Sequence, residues 1–209
     1  MNKITRWVRY NLRYFGQPPW DTGISPPELI RFLQSVPPGK ALDVGCGTGT
    51  NLVSMASYGW QVVGIDLAWI SVIKSRTKLN QAGVRGRVIH GDVSSGVRPG
   101  KEFDLVLDIG CYHDLRSRER SAYQANLANW LKPGGYFLLY AHRKKAVTDL
   151  HGLSESDFVQ LSDFLCCQWR EDSVERRPDG GGGHPSTWAA FMRCKNDDQA
   201  KSLPVTGEG

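Results

Sequence analysis

Several sequence signals are absent from this chain of 209 residues, and each absence excludes a class of protein. No apolar run approaches the roughly 18 residues that a membrane-spanning helix needs, and the first 15 residues lack the apolar segment of a secretory signal peptide. The chain has five cysteines and no Cys-x-x-Cys pair, and its Cys and His residues lack zinc-ligand spacing. We therefore expect a cytoplasmic protein with reduced thiols and no metal site. At this length the core does not require a disulfide.

The basic charge is concentrated at one end of the chain. The formal net charge is +5, from 26 basic and 21 acidic residues, but residues 1–20 hold Lys3, Arg6, Arg9 and Arg13 and no acid. The rest of the chain is therefore close to neutral, whereas a nucleic-acid-binding protein usually spreads a basic face over its body. A transit peptide is a weaker interpretation of the basic start, because aromatic residues are frequent there and serines are few.

Alternating apolar and amphipathic segments predict an α/β fold with a parallel sheet and helices on both faces. The predicted strands cover residues 40–44, 61–65, 87–90, 103–107 and 136–141. The predicted helices cover residues 4–15, 28–36, 51–58, 69–82, 117–131 and 154–164. Two β-rich segments, 169–177 and 187–194, follow without a helix between them and predict an antiparallel hairpin. We expect an N-terminal arm over 1–27, one domain over 28–195 and a flexible tail over 196–209.

Four aspartates lie at or near the ends of successive predicted strands: Asp43, Asp66, Asp92 and Asp108. Open α/β sheets bind ligands at the carboxyl ends of their strands, so these side chains are expected to share a site. The glycines after the first strand are Gly45, Gly47 and Gly49, whereas a dinucleotide-binding loop would need a third glycine where Thr50 stands. An acid at position 43 also favours a ligand with an amino group over a pyrophosphate.

These segments resemble the motifs of class I S-adenosylmethionine-dependent methyltransferases over about residues 40–145. The matching segments are Leu42-Asp-Val-Gly-Cys-Gly-Thr-Gly49, Gly64-Ile-Asp-Leu67, Gly91-Asp-Val93, Phe103-Asp-Leu-Val-Leu-Asp108 and Leu131-Lys-Pro-Gly-Gly135. The resemblance implies a Rossmann-like sheet of seven strands, mostly parallel with an antiparallel last strand, and S-adenosylmethionine as cofactor.

A narrower resemblance, to the branch that methylates thiols, halides, thiopurines or heterocyclic phenols, covers the ends of the chain. It rests on Pro19-Trp-Asp-Thr-Gly23, Asp108-Ile-Gly-Cys-Tyr-His113, Leu153-Ser-Glu-Ser-Asp157 and Ser186-Thr-Trp188. Ala68-Trp69 and the run Gly180–Gly183 depart from the pattern of that branch. The resemblance implies methyl transfer to a phenolic or heterocyclic hydroxyl or to a thiol.

The same resemblance implies a role for each matched residue. Asp43 and the backbone of Gly45, Cys46 and Gly47 would hold the methionine part of the cofactor. Asp66 would hold the ribose hydroxyls, and Leu67 would line the adenine. Asp92 would accept from the adenine amino group while the Val93 amide donates to the ring. Asp108 and Ile109 would lie near the methionine amine, and Trp20 would close the cofactor from above.

Some alternatives stay open on the sequence. His113 is the candidate general base, needed only if the acceptor atom carries a proton. His142 and Arg143 follow the fifth predicted strand at the same rim. The arm places Ile4, Trp7, Val8, Leu12 and Phe15 on one helical face, and we expect a lid with this face toward the cofactor and its arginines toward water.

A membrane surface or RNA are alternative partners for the arm. The alternatives for the whole chain are an RNA or DNA methyltransferase and a non-catalytic S-adenosylmethionine-binding module. The sequence leaves the acceptor atom and the choice between monomer and dimer open.

Overall fold

A computed structural model describes residues 3–146, 148–149, 151–175 and 183–194. The tail predicted over 196–209, and most of the Gly180–Gly183 run, lie outside these residues.

One sheet of seven strands organises the described residues. The strands are β1 Lys40–Val44, β2 Gln61–Asp66, β3 Gly86–His90, β4 Phe103–Ile109, β5 Leu131–His142, β6 Leu165–Glu175 and β7 His184–Arg193. Their order is β3-β2-β1-β4-β5-β7-β6. The first five strands pair in parallel, and β7 is antiparallel to both of its neighbours. The predicted Rossmann-like sheet with a reversed last strand is therefore confirmed.

Helices cover both faces of this sheet and create two apolar layers. The helices are α1 Lys3–Tyr14, α2 Pro27–Ser35, α3 Thr50–Ser57, α4 Trp69–Gln81, α5 Ser117–Trp130 and α6 Glu155–Leu161, with a 3₁₀ turn at Tyr112–Asp114. One layer packs residues of α2, α3 and α4 against the sheet, and the other packs α5 and α6. Every second side chain of a strand faces each layer, so the central strands are apolar on both sides.

The structure differs from the sequence-based expectation at the end of α5. That helix ends at Trp130, and β5 begins at once at Leu131, five residues before the predicted start of the strand at 136. Phe103 pairs with Leu131 and Leu105 pairs with Tyr136, so residues 132–135 form an irregularity in the strand. Pro133 cannot continue a helix. The early pairing of Leu131 with a distant strand is not visible in the local pattern.

Cys166 and Cys194 form a disulfide, with their Cα atoms 5.7 Å apart. The expectation that all five thiols are reduced is therefore wrong for these two, whereas Cys46, Cys111 and Cys167 are free. Leu165 at the start of β6 pairs with Arg193 at the end of β7. This register brings two cysteines together that are 28 residues apart in the sequence.

Helix α1 packs with the face opposite to the expected one. The predicted inward side chains Trp7, Val8, Leu12 and Phe15 are exposed, with Phe15 at 76% of its reference area. The buried side instead carries Arg6, Asn11 and Tyr14. The surface beneath α1 presents carboxylates, which polar and cationic side chains can satisfy and apolar ones cannot. In the described residues we find no helix long and apolar enough to cross a bilayer.

Candidate functional site

The loop that follows β1 carries the three glycines noted in the sequence. Gly45, Gly47 and Gly49 have φ values of 71°, 54° and 84°, in the left-handed region. A Cβ on Gly49 would also lie 2.3 Å from Ser75 Oγ on α4, so a larger residue would push the helix away. The loop therefore needs glycine for its backbone conformation and for close packing on α4.

The amides of this loop are already used within the protein. Gly45 and Cys46 donate to the carbonyl of Ile65 at 2.8 and 3.0 Å, and Gly47 donates to Asp66 Oδ2 at 2.9 Å. The backbone of these three residues can therefore offer a ligand only carbonyl oxygens. Carbonyls suit an ammonium group, whereas a pyrophosphate needs free N–H donors.

Asp43, in β1 just before this loop, has an unsatisfied carboxyl oxygen. The residue is buried, and Oδ2 accepts no hydrogen bond from the described residues. Burial, together with the nearby Asp108 and Asp66 carboxylates, raises the pKa of Asp43 well above its ordinary value. A buried acceptor without a partner is uncommon in a folded protein and marks a place where a ligand can donate. The donor set thus fits the amino group of a methionine moiety.

Asp66 is the last residue of β2, and both of its carboxyl oxygens accept hydrogen bonds from backbone amides. Oδ1 accepts from the Ala68 amide at 2.7 Å, and Oδ2 accepts from Gly47. Burial raises its pKa, although these hydrogen bonds oppose the rise. Each oxygen can accept a second hydrogen bond, which suits a pair of ribose hydroxyls. Leu67 is half-buried beside it, and its carbonyl accepts from His90 Nε2 at 2.9 Å.

Asp92 binds a residue of the arm, which sequence reasoning did not anticipate. Its Oδ1 accepts from the amide and hydroxyl of Ser94, and its Oδ2 accepts from Arg6 at 3.2 Å. Arg6 also pairs with Glu119 on α5 at 2.9 Å. The neighbouring Val93 side chain lies in the core. Arg6 therefore shares the carboxylate that the family resemblance assigns to the adenine amino group.

Asp108 is buried at the end of β4 and orders the turn that follows it. It accepts from the amides of Cys111 and Tyr112 and, at 2.8 Å, from the Tyr123 hydroxyl. Burial raises its pKa to about 6. Ile109 packs against the apolar layer next to it. The observed contacts make Asp108 a group that positions the turn, and its predicted contact with the methionine amine stays a prediction.

This turn connects the glycine loop to His113. A Cβ on Gly45 would lie 3.0 Å from Cys111 Cβ, so the two segments touch. Arg120 on α5 fixes the far end by donating to the carbonyls of His113 and Gly152, and it pairs with Asp157 at 2.7 Å. The backbone of His113 is therefore held in place, and the turn after β4 separates it from the glycine loop.

The hydrogen bonding of His113 opposes the predicted role of general base. Its Nδ1 accepts from the backbone amide of His142 at 3.0 Å, which places the ring proton on Nε2. Burial lowers its pKa to about 3, and the neighbouring His142 and Arg120 act in the same direction. A neutral imidazole whose lone pair is already occupied can donate a hydrogen bond, but it has no free nitrogen to accept a proton.

Three imidazole rings stack at the carboxyl end of β5, and we call them the histidine stack: His113, His142 and His184. The ring centroids of neighbouring members lie 4.6 Å apart. His142 Nε2 lies 2.7 Å from Glu175 Oε2 on β6, and the Tyr140 hydroxyl donates to the same oxygen at 2.5 Å. The sequence predicts His142 at this edge of the sheet but does not predict its contact with Glu175. The two residues lie on separate strands, and their contact depends on how those strands are placed in the sheet.

The arm contributes Tyr14 to the same region, and this residue was missed. A Cβ on Gly47 would lie 3.0 Å from the Tyr14 hydroxyl, so α1 touches the glycine loop. Trp20, predicted to cover the cofactor, donates from Nε1 to that hydroxyl at 3.2 Å and packs edge-on against Tyr10. The signal that could have found Tyr14 is the four-residue spacing of Arg6, Tyr10 and Tyr14. Among the described residues no cluster of His, Cys, Asp or Glu suits a metal ion.

Residues 41–135 match a family model described as a methyltransferase domain. The chain is 36% identical over 110 residues to ribosomal RNA small subunit methyltransferase C of Alcanivorax borkumensis, covering 51% of this chain and 33% of that protein. It is 31% identical over 123 residues to probable thiol methyltransferase 2 of Arabidopsis thaliana, covering 57% of this chain and 54% of that protein. The chain thus spans between a third and about half of these relatives.

A solved structure shows the same fold over nearly the whole chain. It is the N-methyltransferase NodS of Bradyrhizobium japonicum in complex with S-adenosyl-L-homocysteine. It superposes with a TM-score of 0.75 at 17% identity and covers 92% of this chain and 99% of that one. The comparisons thus show a methyltransferase-domain match over residues 41–135 and, over most of the chain, the fold of this methyltransferase structure.

Proposed function

We propose that this protein transfers the methyl group of S-adenosylmethionine to a small-molecule acceptor, a phenolic or heterocyclic hydroxyl or a thiol, by in-line displacement. The observation that carries the proposal is Asp43 Oδ2, a buried acceptor to which no described residue donates, beside a loop in which the amides of Gly45, Cys46 and Gly47 are occupied. When bound, the cofactor supplies a methyl group on a sulfonium with a neutral thioether as leaving group. The protein therefore has mainly to orient the reactants and exclude water.

In this proposal each named residue has one task. Asp43 and the carbonyls of the glycine loop hold the ammonium, Asp66 holds the ribose hydroxyls, and Asp92 accepts from the adenine. Helix α1 and Trp20 cover the cofactor, which gives the arm the role of a lid. Tyr14 against Gly47 and Arg6 against Asp92 support this role, since both connect the arm to the cofactor residues.

The small-molecule acceptor is supported by the thiol methyltransferase relative and by the near-neutral charge of the body. RNA is the second candidate, because ribosomal RNA small subunit methyltransferase C matches half of the chain. After β4, however, the chain reads Asp108-Ile-Gly-Cys111, not the Asn/Asp-Pro-Pro-Tyr segment that presents a flipped base amine. A non-catalytic binding module would bind the cofactor without any transfer.

Incubation with cofactor carrying a labelled methyl group, and with phenols, thiols or RNA in parallel, tests the three functions. Label in a phenol or thiol supports the proposal, and label in RNA alone overturns it. Tight cofactor binding without transfer to any of them favours the binding module. The location also stays a prediction: the Cys166–Cys194 disulfide argues against a reducing cytoplasm, and mass spectrometry of alkylated thiols from the source cells tests it.

The cofactor assignment is tested most directly at Asp66. A carboxylate that accepts two hydroxyl groups makes charge-assisted bonds that alanine cannot replace. We expect Asp66→Ala to weaken S-adenosylmethionine binding at least tenfold, about 1.5–3 kcal/mol, in calorimetry. Asp163→Asn, at an exposed position that is not part of the proposed site, is the control. Unchanged affinity of Asp66→Ala would remove this residue from the site.

A further inference from the structure

The histidine stack contains one imidazole with the arrangement of a general base. His142 Nε2 lies 2.7 Å from Oε2 of the Glu175 carboxylate. Because a carboxylate can only accept, Nε2 carries the ring proton and donates a hydrogen bond to Oε2. The other ring nitrogen, Nδ1, then keeps its lone pair, and no described residue donates to it. A carboxylate that holds one imidazole nitrogen and leaves the other free is the arrangement that orients a base.

The neighbours of His142 keep the ring in place. Its two faces are covered by His113 from the 3₁₀ turn and His184 from β7, with interplanar angles of 11° and 27°. Its backbone amide is bound to His113 Nδ1. Hydrogen bonds from Tyr140 and His142 hold the pKa of Glu175 below its ordinary value, although partial burial raises it. Glu175 is therefore ionised at neutral pH and can stabilise a cationic His142.

His142 also lies at the correct end of the sheet. It is the last residue of β5, and β5 pairs in parallel with β4, so both strands end at the edge that carries the glycine loop. The turn after β4 touches this loop through Cys111 and the histidine stack through His113. The side chain of His142 remains about one-third exposed, which leaves it accessible to a ligand.

The surroundings of His142 indicate a flat acceptor. The ring of Tyr140 lies 5.1 Å from Trp188 and 6.0 Å from His142, so aromatic groups continue from the base along β5 and β7. Aromatic side chains at these distances favour an aromatic ligand through offset or edge-on packing. A hydroxyl on such a ring has a pKa near 10, so its methylation at neutral pH requires removal of a proton.

We propose that His142, oriented by Glu175, is the general base for an aromatic hydroxyl acceptor. The inference deepens the proposed function and rests on it. The acceptor O–H proton moves to His142 Nδ1 while the oxygen electron pair forms a bond to the methyl carbon. The carbon–sulfur bond breaks with its electrons on sulfur, and S-adenosylhomocysteine leaves. The proton on His142 is later lost to water, so the step needs no further reactant.

Substitutions distinguish the role of His142 as the base from the role of Glu175 in orienting it. With a phenol as acceptor, we expect His142→Gln to lower kcat by about 10²–10⁴ and Glu175→Gln to lower it by roughly tenfold or more. With the corresponding thiophenol both losses are much smaller, because a thiol is more readily ionised and needs less help from a base. His151→Gln, an exposed histidine paired with Asp114, is the matched control and keeps the wild-type rate. S-adenosylhomocysteine binding should be unchanged in every variant.

The pH dependence gives an independent criterion. With phenol, the acidic limb of the wild-type kcat profile should disappear in His142→Gln. The ionisable groups that face His142 are His113, His184, Glu175 and Tyr140. Burial lowers the pKa of His113 to about 3, and hydrogen bonds hold the pKa of Glu175 below its ordinary value, so these two groups stay neutral and ionised, respectively, at the pH of the assay. His184→Gln tests the remaining histidine, and loss of the limb in that variant alone overturns the assignment.

A measurement without turnover completes the test. Nitrogen-15 NMR of histidine-labelled protein should show His142 with its proton on Nε2, and Glu175→Gln should alter that signal. A proton on Nδ1, or a phenol kcat unchanged in His142→Gln, overturns the base while leaving the proposed function intact. Failure of the wild type to bind S-adenosylhomocysteine or to methylate any phenol or thiol overturns the proposed function itself.

Discussion

Asp43 illustrates, at the scale of one residue, a conflict between stability and binding. Its buried, partnerless oxygen is unfavourable in the ligand-free fold and favourable when an ammonium group donates to it. Sequence reasoning assigned this aspartate to the amino group because an acid near a glycine loop is unsuited to a pyrophosphate. The structure adds that the amides of Gly45, Cys46 and Gly47 are already bonded, so the backbone of these three residues offers a ligand carbonyl oxygens.

We expect Asp43→Asn to stabilise the ligand-free protein and to weaken cofactor binding at least tenfold. Burial raises the pKa of Asp43, so its contribution to stability is present at low pH and is lost as pH rises through the folded-state pKa. The advantage of the asparagine should therefore be greater at pH 8 than at pH 5 in thermal unfolding. Exposed Asp163→Asn is the control. A destabilised Asp43→Asn with unchanged affinity would contradict this account.

His113 should govern stability at acid pH. Burial holds its pKa near 3, below the ordinary value of 6.5, so its contribution is complete above about pH 6.5 and is lost as pH falls toward 3. Over this interval the free energy of unfolding of the wild type should fall by up to about 1.4 kcal/mol per pH unit more steeply than that of His113→Gln. Urea unfolding at several pH values measures both slopes. Parallel curves would mean that His113 is not buried as a neutral ring.

At the scale of elements, helix α1 shows why amphipathic spacing does not by itself determine orientation. The helix was predicted within one residue at each end, yet its apolar face points to solvent. The pattern identifies two faces, but the choice between them depends on the partner surface. Here that surface carries Asp92, Glu119 and Asp114, which bind Arg6 and Tyr10.

Arg6 should control the attachment of α1 to the domain. Removing one partner of a buried ion pair leaves an uncompensated charge, which typically changes stability by about 3–5 kcal/mol. We expect Arg6→Met to increase amide hydrogen exchange in α1 at least tenfold, with the sheet unaffected. Arg9→Met, an exposed arginine on the same helix, should leave exchange unchanged. Equal protection of α1 in both variants would show that the ion pair does not hold the arm.

Deletion of residues 1–20 tests the arm as a whole. The sheet begins at Lys40 and its two apolar layers contain no residue of α1, so the truncated protein should fold. It should lose turnover, because a small acceptor requires a cover that excludes water. Far-UV circular dichroism measures the fold, and the labelled-methyl assay measures turnover. A folded, fully active truncated protein would show that the arm serves a different purpose, such as binding to a membrane or RNA.

At the scale of the whole molecule, the Cys166–Cys194 disulfide closes the hairpin of β6 and β7. A cross-link over this separation restricts the unfolded chain and should contribute about 3–4 kcal/mol. We expect a reductant to lower the denaturant midpoint of the wild type and of Cys167→Ser, but not that of Cys194→Ser. A wild-type midpoint that is the same with and without reductant would contradict a stabilising disulfide.

Local chemistry determined much of this protein. Strand-ending aspartates, glycines with left-handed φ and alternating apolar segments are set by residues within a few positions of one another. For this reason the sequence alone predicts the order of strands and helices, the glycine loop, and Asp43, Asp66, Asp92 and Asp108 as one group. Their assigned contacts with the cofactor stay predictions, because they depend on a ligand.

Only the tertiary structure decided which distant residues meet. Arg6 and Asp92 are 86 positions apart, His142 and Glu175 are 33 apart, and Cys166 and Cys194 are 28 apart. These pairs depend on the register of β5, β6 and β7 and on which face of α1 is buried. Register and orientation minimise the free energy of the whole fold, through burial of apolar area and pairing of buried charge. These contributions to the free energy cannot be evaluated from a local segment. The sequence therefore suggests His113 as the general base, whereas in the fold the imidazole with a free nitrogen is His142.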